Sequence, residues 1–366
     1  MTELAINAAD RDIADDLCEQ VRSAYVDRTP LRIVAGDTRA FYGRVVEGKP
    51  LDISSHSGIV SYDPVELVVT VRAGTRLSAL NAVLAEQQQM LAFEPPAFGD
   101  ASTIGGAVAT GLSGPRRPWA GAARDFVLGT RVITQEGKLL RFGGEVMKNV
   151  AGYDLSRLMA GAQGTLGVLA DISFKVLPIP TASHSLRLEL GLGDALTKLA
   201  ELGRQPLPIT AAAWHAGGLF IRLEGGSSSV NATKERLGGE TLAPEFWQQL
   251  RDHQHAFFNL EEGQALWRLS LPPHTPPLKI DTAEASLFYD WGGSQRWVKT
   301  HLDANTLRTA CQSAGGHSTC FTPHTLNGTD SPFTPLNPVV EKYHRNLKAQ
   351  LDAHGIFNPG RLYAAF

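Results

Sequence analysis

The chain has 366 residues, 43% of them hydrophobic and 19% charged, a length that points to two domains rather than one core. With 34 basic against 37 acidic side chains the net charge is -3, and no long run of one sign favours a nucleic-acid or polyanion partner. Met1-Thr2-Glu3-Leu4-Ala5 lacks a basic n-region, and the longest apolar runs are strand-sized. Neither a secretory signal nor a membrane span is expected. Cys18, Cys311 and Cys320 form no CxxC pair, which suits a reducing cytosol better than a disulfide framework or an iron–sulfur site.

In chain order, Ile13, Leu17, Val21 and Ala24 predict a helix over Asp10 to Asp27. Leu31–Val34 reads as a strand running into the loop Ala35-Gly36-Asp37-Thr38, and Val65–Arg72 as a valine-rich strand after Asp63-Pro64. Thr75 to Gln88 reads as a helix with Leu77, Leu80, Val83 and Leu84 on one face. Strands over Phe126–Thr134 and Lys138–Phe142 flank the turn Glu136-Gly137. A short helix over Leu155–Ala160 and a strand over Gly167–Leu177 follow, ending at Pro178 and Pro180, which mark a domain boundary.

Beyond it, Thr210–Trp214, Leu219–Glu224, Leu266–Leu271 and Ser286–Tyr289 read as strands, and Val230–Leu237 and Phe246–Phe258 as helices. Thr322 to Pro338 reads as a linker before a last helix, Pro338 to Ala353. The expected fold class is α+β, with domains at 1–178 and 179–321, a linker at 322–337, and a C-terminal helix and tail at 338–366 that returns to the first domain.

Three loops rich in small residues stand at strand ends: Ala35 to Gly43, Pro95 to Gly111, and Gly161 to Gly167. Small side chains let a flat or anionic ligand approach the main chain. Each loop alone is equally compatible with a turn or a tight helix contact. None matches GxGxxG or GxxxxGK[ST], so Rossmann and P-loop sites are disfavoured. One extended ligand such as a dinucleotide accounts for all three.

The order of these loops resembles the FAD-binding domain of the vanillyl-alcohol-oxidase, or PCMH-type, flavoproteins. Leu51–Ile53, His56–Asp63, Thr103–Pro118, Arg124-Asp125, Lys148–Leu155 and Phe357–Tyr363 are similar to the glycolate oxidase FAD-binding subunits. The resemblance implies a PCMH-type FAD-binding domain of two α/β subdomains plus a smaller α+β cap-like domain. It assigns cofactor contacts to Ala35, Gly36, Asp37, Thr38, Arg39 and Ala40 as the pyrophosphate loop. Asp100, Ser102, Thr103, Ile104, Gly105 and Gly106 lie along the pyrophosphate and flavin ring. Ala109, Thr110 and Ser113 continue that wall, and Gly164, Thr165, Gly167 and Val168 hold the far side. Tyr153 and Asp154 brace their loop. The resemblance further implies work with a catalytic flavin subunit and an iron–sulfur subunit, a small 2-hydroxyacid substrate, and a cytoplasmic place peripheral to the membrane through those partners.

Three departures qualify it. Asp37 stands in a loop the family builds from glycines, and its carboxylate is expected to turn away from a diphosphate or cap neighbouring amides. Gln163 stands where related 2-hydroxyacid dehydrogenases usually carry Glu. No His occupies the position of a covalent flavin bond, so FAD is expected to be non-covalent. The chain has no His-x-Gly-Asp-Gly-Asn-type motif, no metal site is assigned, and its catalytic residues are unknown. His253, His255, His317 and His324 read as solvated surface residues, and Arg116 and Arg117 as partners for a substrate carboxylate, the FAD phosphates or another chain. An assembly subunit without its own catalysis and a stand-alone flavin oxidoreductase are the alternative readings.

Overall fold

The computed structural model describes residues 10–144, 154–326 and 330–366. The chain divides into two compact units, one of Met1–Ser113, Ala122–Ile179 and Pro335–Phe366, the other of Gly114–Gly121 and Pro180–Thr334. Gly114–Gly121, read from the sequence as part of the first domain, thus packs with the second unit.

In the first unit β1 (Leu31–Val34) and β2 (Lys49–Asp52) pair in parallel, and Phe357 bridges to Leu31 in the same sense. Next come β3 (Ile59–Asp63), β4 (Val68–Arg72), β5 (Gln89–Met90), β6 (Val127–Ile133), β7 (Leu139–Gly143), β8 (Val168–Lys175) and β9 (Leu177–Pro178). Five of them form an antiparallel sheet in the order β3-β4-β8-β6-β7, and β5 pairs with β9. Central β8 is buried along nearly its whole length, which explains its unbroken apolar run. Each of its fully buried large side chains contributes roughly 1.5–3 kcal/mol. The run contains Asp171, which accepts from His56 Nε2 at 3.1 Å and Arg131 at 2.7 Å. The Ile13 amide donates to His56 Nδ1, so the imidazole proton sits on Nε2.

Several boundaries move from the sequence reading. The first helix begins at Ala14, with Ile13 at its N-cap. The strand read from Val65 starts at Val68, because Leu67 takes φ +57° at the turn out of β3, itself not read from the sequence.

The second unit is built on β10 (Ala182–Glu189), β11 (Ile209–His215), β12 (Gly218–Gly225), β13 (Glu240–Thr241), β14 (Ala265–Ser270), β15 (Leu287–Asp290), β16 (Gln295–Thr300) and β17 (His317–Cys320). They form one sheet in the order β13-β10-β12-β11-β15-β16-β14-β17. Helices Leu192–Leu202 and Ser227–Leu237 cover a core around Trp214, Ile221 and Tyr289. Helix Ala304–Ser313 covers another around Trp267, Leu269 and Val298.

The helix read over Phe246–Phe258 stops at Arg251, because His253 adopts φ +56° and the chain restarts as a single 3₁₀ turn at Ala256–Phe258. The segment read as a linker is partly structured: Cys320 and Thr334 amides donate to Pro332 and Ser318 carbonyls, and Phe333 bridges to Thr319.

Candidate functional site

The first unit holds a cleft of about 260 Å³ on which all three small-residue loops converge. Ala35, Gly36, Asp37, Thr38, Arg39 and Ala40 line one side, Thr103, Gly105, Gly106, Ala109 and Thr110 another, and Gly164 and Gly167 a third. Val46, Ile53 and Leu169 add apolar wall.

The loop after β1 is shaped for an anion. Among the described residues no protein acceptor takes the amides of Gly36, Asp37 or Thr38, and consecutive free N–H groups form an anion-binding concavity. A Cβ on Gly36 would run into the Ala101 carbonyl, so only glycine lets this loop approach its neighbour. Asp37 sits at φ +50°, a conformation that Asp adopts more readily than most non-glycine residues. Its carboxylate turns to Arg32 at 3.3 Å. Arg39, Arg361 and Arg32 also line the cleft, and Arg76 Nη1 lies 3.2 Å from where a Gly36 Cβ would stand. One carboxylate is thus surrounded by several guanidiniums, and the local field favours a diphosphate.

The second loop differs from its sequence reading. Thr103 caps the helix Ile104–Thr110, its Oγ1 accepting from Gly106 N at 3.3 Å. Ile104 and Gly105 amides donate to the carbonyls of Thr75 and Ala73 at 2.9 and 2.7 Å. With these donors already bonded, the segment supplies a close wall rather than hydrogen bonds. Gly105 and Gly106 have opposite surroundings. A Cβ on Gly105 would lie 2.8 Å from Ala73 Cβ and 2.9 Å from its carbonyl oxygen, whereas one on Gly106 meets nothing closer than 3.3 Å.

Six residues assigned by resemblance do not line the cleft. Asp100 is exposed, and Ile104 and Val168 are core. Ser102 accepts from Arg39 Nη1 at 2.8 Å, and Arg39 Nη2 donates to the Pro96 carbonyl, which together tie the phosphate loop to residues 96–102. Ser113 Oγ accepts from Ala123 N at 3.0 Å, and the Thr165 hydroxyl donates to Ala162 O at 2.7 Å. Each of these hydroxyls is thus engaged within the protein.

The third loop needs its glycines: Gly161, Gly164 and Gly167 take φ of +89°, +69° and +154°. Gln163 among them also sits at φ +50°. It lines the cleft and accepts from Arg361 Nε at 3.0 Å through Oε1.

Asn358 and Arg361 were not assigned from the sequence, yet both line the cleft. Asn358 Oδ1 accepts from Ile33 N at 2.8 Å while its Nδ2 donates to Gln163 O at 2.8 Å. The tail enters through Asp352, buried with Lys348. The Lys348 ammonium donates to Asp352, Thr165 O and Phe357 O at 2.6, 2.7 and 2.9 Å. Desolvation lowers the Lys348 pKa, and the Asp352 carboxylate opposes that shift. The signal for this clasp was Asn358-Pro359-Gly360-Arg361, whose polar ends flank a turn.

Other expected groups lie elsewhere. Lys148 to Tyr153 fall outside the described residues, while Asp154 caps the helix Leu155–Met159 through Arg157 N at 3.1 Å. Arg116 pairs with Glu224 of its own chain at 2.6 Å, in the second unit, and Arg117 stacks over Trp291 at 4.4 Å. His253 is not a solvated surface residue: its ring stacks on Phe258 at 4.0 Å and meets Trp297 edge-on at 4.6 Å. Burial lowers its pKa to about 3. His255 likewise packs on Phe246, 5.5 Å away, and its pKa is lowered by burial. His324 is exposed.

A loop of free amides among several guanidiniums, walled by small residues, fits the diphosphate and flat rings of an FAD-binding flavoprotein. Residues 12–143 match the family model described as an FAD binding domain, and FAD is the cofactor. The fold is that of p-cresol methylhydroxylase, whose structure with substrate bound superposes with a TM-score of 0.71 at 14% identity, covering 98% of this chain and 89% of that one. The chain is 52% identical over 353 residues to glycolate oxidase subunit GlcE of Escherichia coli (strain K12), covering 96% of this chain and 98% of that protein. It belongs to the GlcE family of glycolate oxidase subunits. It is also 32% identical over 171 residues to glycolate oxidase subunit GlcD of Bacillus subtilis (strain 168), covering 46% of this chain and 35% of that one.

Proposed function

We propose that this chain carries non-covalent FAD in the cleft of its first unit and works within a multi-subunit oxidase that converts glycolate to glyoxylate. Its partners would be a second flavin subunit of the GlcD kind and an iron–sulfur subunit that takes the electrons onward. The observation that carries the reading is the run of unclaimed amides at Gly36, Asp37 and Thr38 beneath Arg32, Arg39 and Arg361.

When bound, FAD supplies the electron acceptor, and the protein supplies orientation and electrostatics. Gly36 to Thr38 would hold the diphosphate by main-chain donors, and Gly105, Gly106 and Ala109 would let the cofactor lie against bare backbone. Among the described residues no helix is long and apolar enough to cross a membrane, so we place any membrane association in the partners.

Gly106→Val is the variant that tests the cleft, because Gly106 lines it and a Cβ there meets only side-chain atoms, at 3.3 and 3.5 Å, rather than backbone. The purified variant should fold with the thermal midpoint of the parent's apo form yet lose its flavin absorbance. Normal flavin content would refute the placement. An anaerobic spectrum of the parent, alone and in its complex, then tests the redox role: glycolate should bleach the flavin of the complex. Persistence of this subunit's flavin bands there would exclude a part in substrate electron flow.

A further inference from the structure

The tail residue Arg361 does more than close a surface. Its Nη1 donates to the carbonyls of Ala40 and Arg44 at 3.1 and 2.7 Å, and its Nη2 to those of Arg39 and Tyr42 at 3.2 and 2.7 Å. Its Nε donates to Gln163 Oε1 at 3.0 Å, and its own carbonyl accepts from Arg44 N at 3.0 Å. A guanidinium has five N–H donors, and five protein oxygens take them. Arg361 therefore lines the cleft without a donor left for the cofactor.

What it does instead is gather four carbonyls of one short loop around a single cation. Turn bonds from Ala40 N to Asp37 O and from Tyr42 N to Arg39 O, both 3.0 Å, start the curl of this loop, and the guanidinium holds together four carbonyls that would otherwise repel one another. The free amides of Gly36 to Thr38 sit at the other end of that same loop. Gln163, the fifth acceptor, belongs to the opposite wall and is also held by Asn358. One side chain thus braces the curled phosphate loop and ties it to the third loop. Desolvation lowers the Arg361 pKa, and the nearby Asp37 carboxylate works against that shift.

We propose that Arg361 is a positioning residue for FAD, holding the phosphate loop and the Gln163 loop in the shape the cofactor needs; this rests on the reading of the cleft given above. It acts through these loops and not by touching the flavin. A lysine replaces it only in part, since a single ammonium has three donors and no planar fork.

The test is flavin titration of the deflavinated full-length chain, read by flavin fluorescence, beside the thermal midpoint of the same apo protein. Arg361→Ala should raise the FAD dissociation constant by at least about tenfold, one 1.4 kcal/mol step, with the apo midpoint close to the parent's. Millimolar guanidinium should restore affinity to Arg361→Ala, and Arg361→Lys should fall between parent and alanine. Parental affinity in Arg361→Ala would overturn the proposal. So would loss of affinity and apo stability together, with no recovery by guanidinium. Should Arg361→Ala not fold, parental affinity in Arg361→Lys would overturn it equally. Gly106→Val separates the two claims: if it loses flavin while Arg361→Ala keeps it, the cleft stands and the role of Arg361 falls. If both keep flavin, the cleft itself is misplaced.

Discussion

Gly105 and Gly106 are adjacent in sequence and opposite in environment, a contrast that sequence could not show. From sequence both glycines read as room for the cofactor. In the fold, Gly105 is pressed on Ala73, so Gly105→Val drives a side chain into backbone, and overpacking of this kind typically costs about 1–3 kcal/mol. The expected result is a lower urea midpoint for Gly105→Val, measured on the apo chain, and an unchanged one for Gly106→Val. Equal midpoints would remove the distinction. Asp37 and Gln163 give the same lesson. Both occupy φ +50° inside glycine-rich loops, and Asp37 is directed at Arg32. That its carboxylate would avoid a diphosphate could be argued from charge alone. That Gln163 would meet Arg361, 198 positions away, could not.

Among the elements, those with one buried face or two were legible. β1, β4 and β8 are short apolar runs, and the helix Leu77–Glu86 shows its stripe of Leu77, Leu80 and Leu84. β16 was not, because Gln295-Arg296-Trp297-Val298-Lys299-Thr300 places a charged residue where a core residue was sought. Arg296 is nonetheless buried, its Nε and Nη1 donating to the carbonyls of Gly293 and Pro276 and its guanidinium lying over Tyr289. The helix read through Phe258 failed for a related reason. Aromatic packing of His253, Phe257 and Phe258 on the sheet overrides the helical period after Arg251. That packing has a pH signature. Folded His253 takes up a proton only near pH 3, whereas the unfolded side chain does so near 6.5. Between those values the unfolded state binds more protons, so stability falls on acidification and this contribution is fully present above pH 6.5. In urea unfolding between pH 4 and 7, His253→Phe should flatten the acid limb. A limb as steep as the parent's would show that His253 does not cause it. His184, His215, His255 and His317 shift in the same direction and add to the slope that remains.

At the scale of the whole chain, the loops of the cleft could be read in order from the sequence, but their closure could not. Ile33 and Asn358 are 325 positions apart and share a hydrogen bond, and no local pattern joins them. The cleft is therefore a long-range object, and whatever fills it favours the folded state by mass action. At a free FAD concentration about 100 times its dissociation constant, folding should gain roughly 2.7 kcal/mol. The thermal midpoint of the parent should climb with added FAD, while that of Gly106→Val should stay flat; a parent that ignores FAD would contradict the site. The order of synthesis adds a constraint of its own. The amides at Gly36 to Thr38 emerge from the ribosome early, yet Asn358 and Arg361, which brace that loop, emerge more than 300 residues later. A nascent chain stalled anywhere before residue 358 carries a half-built cradle. A chain truncated before residue 358 should therefore retain less FAD than the parent when the two are purified side by side, and equal flavin content would show that the brace is dispensable.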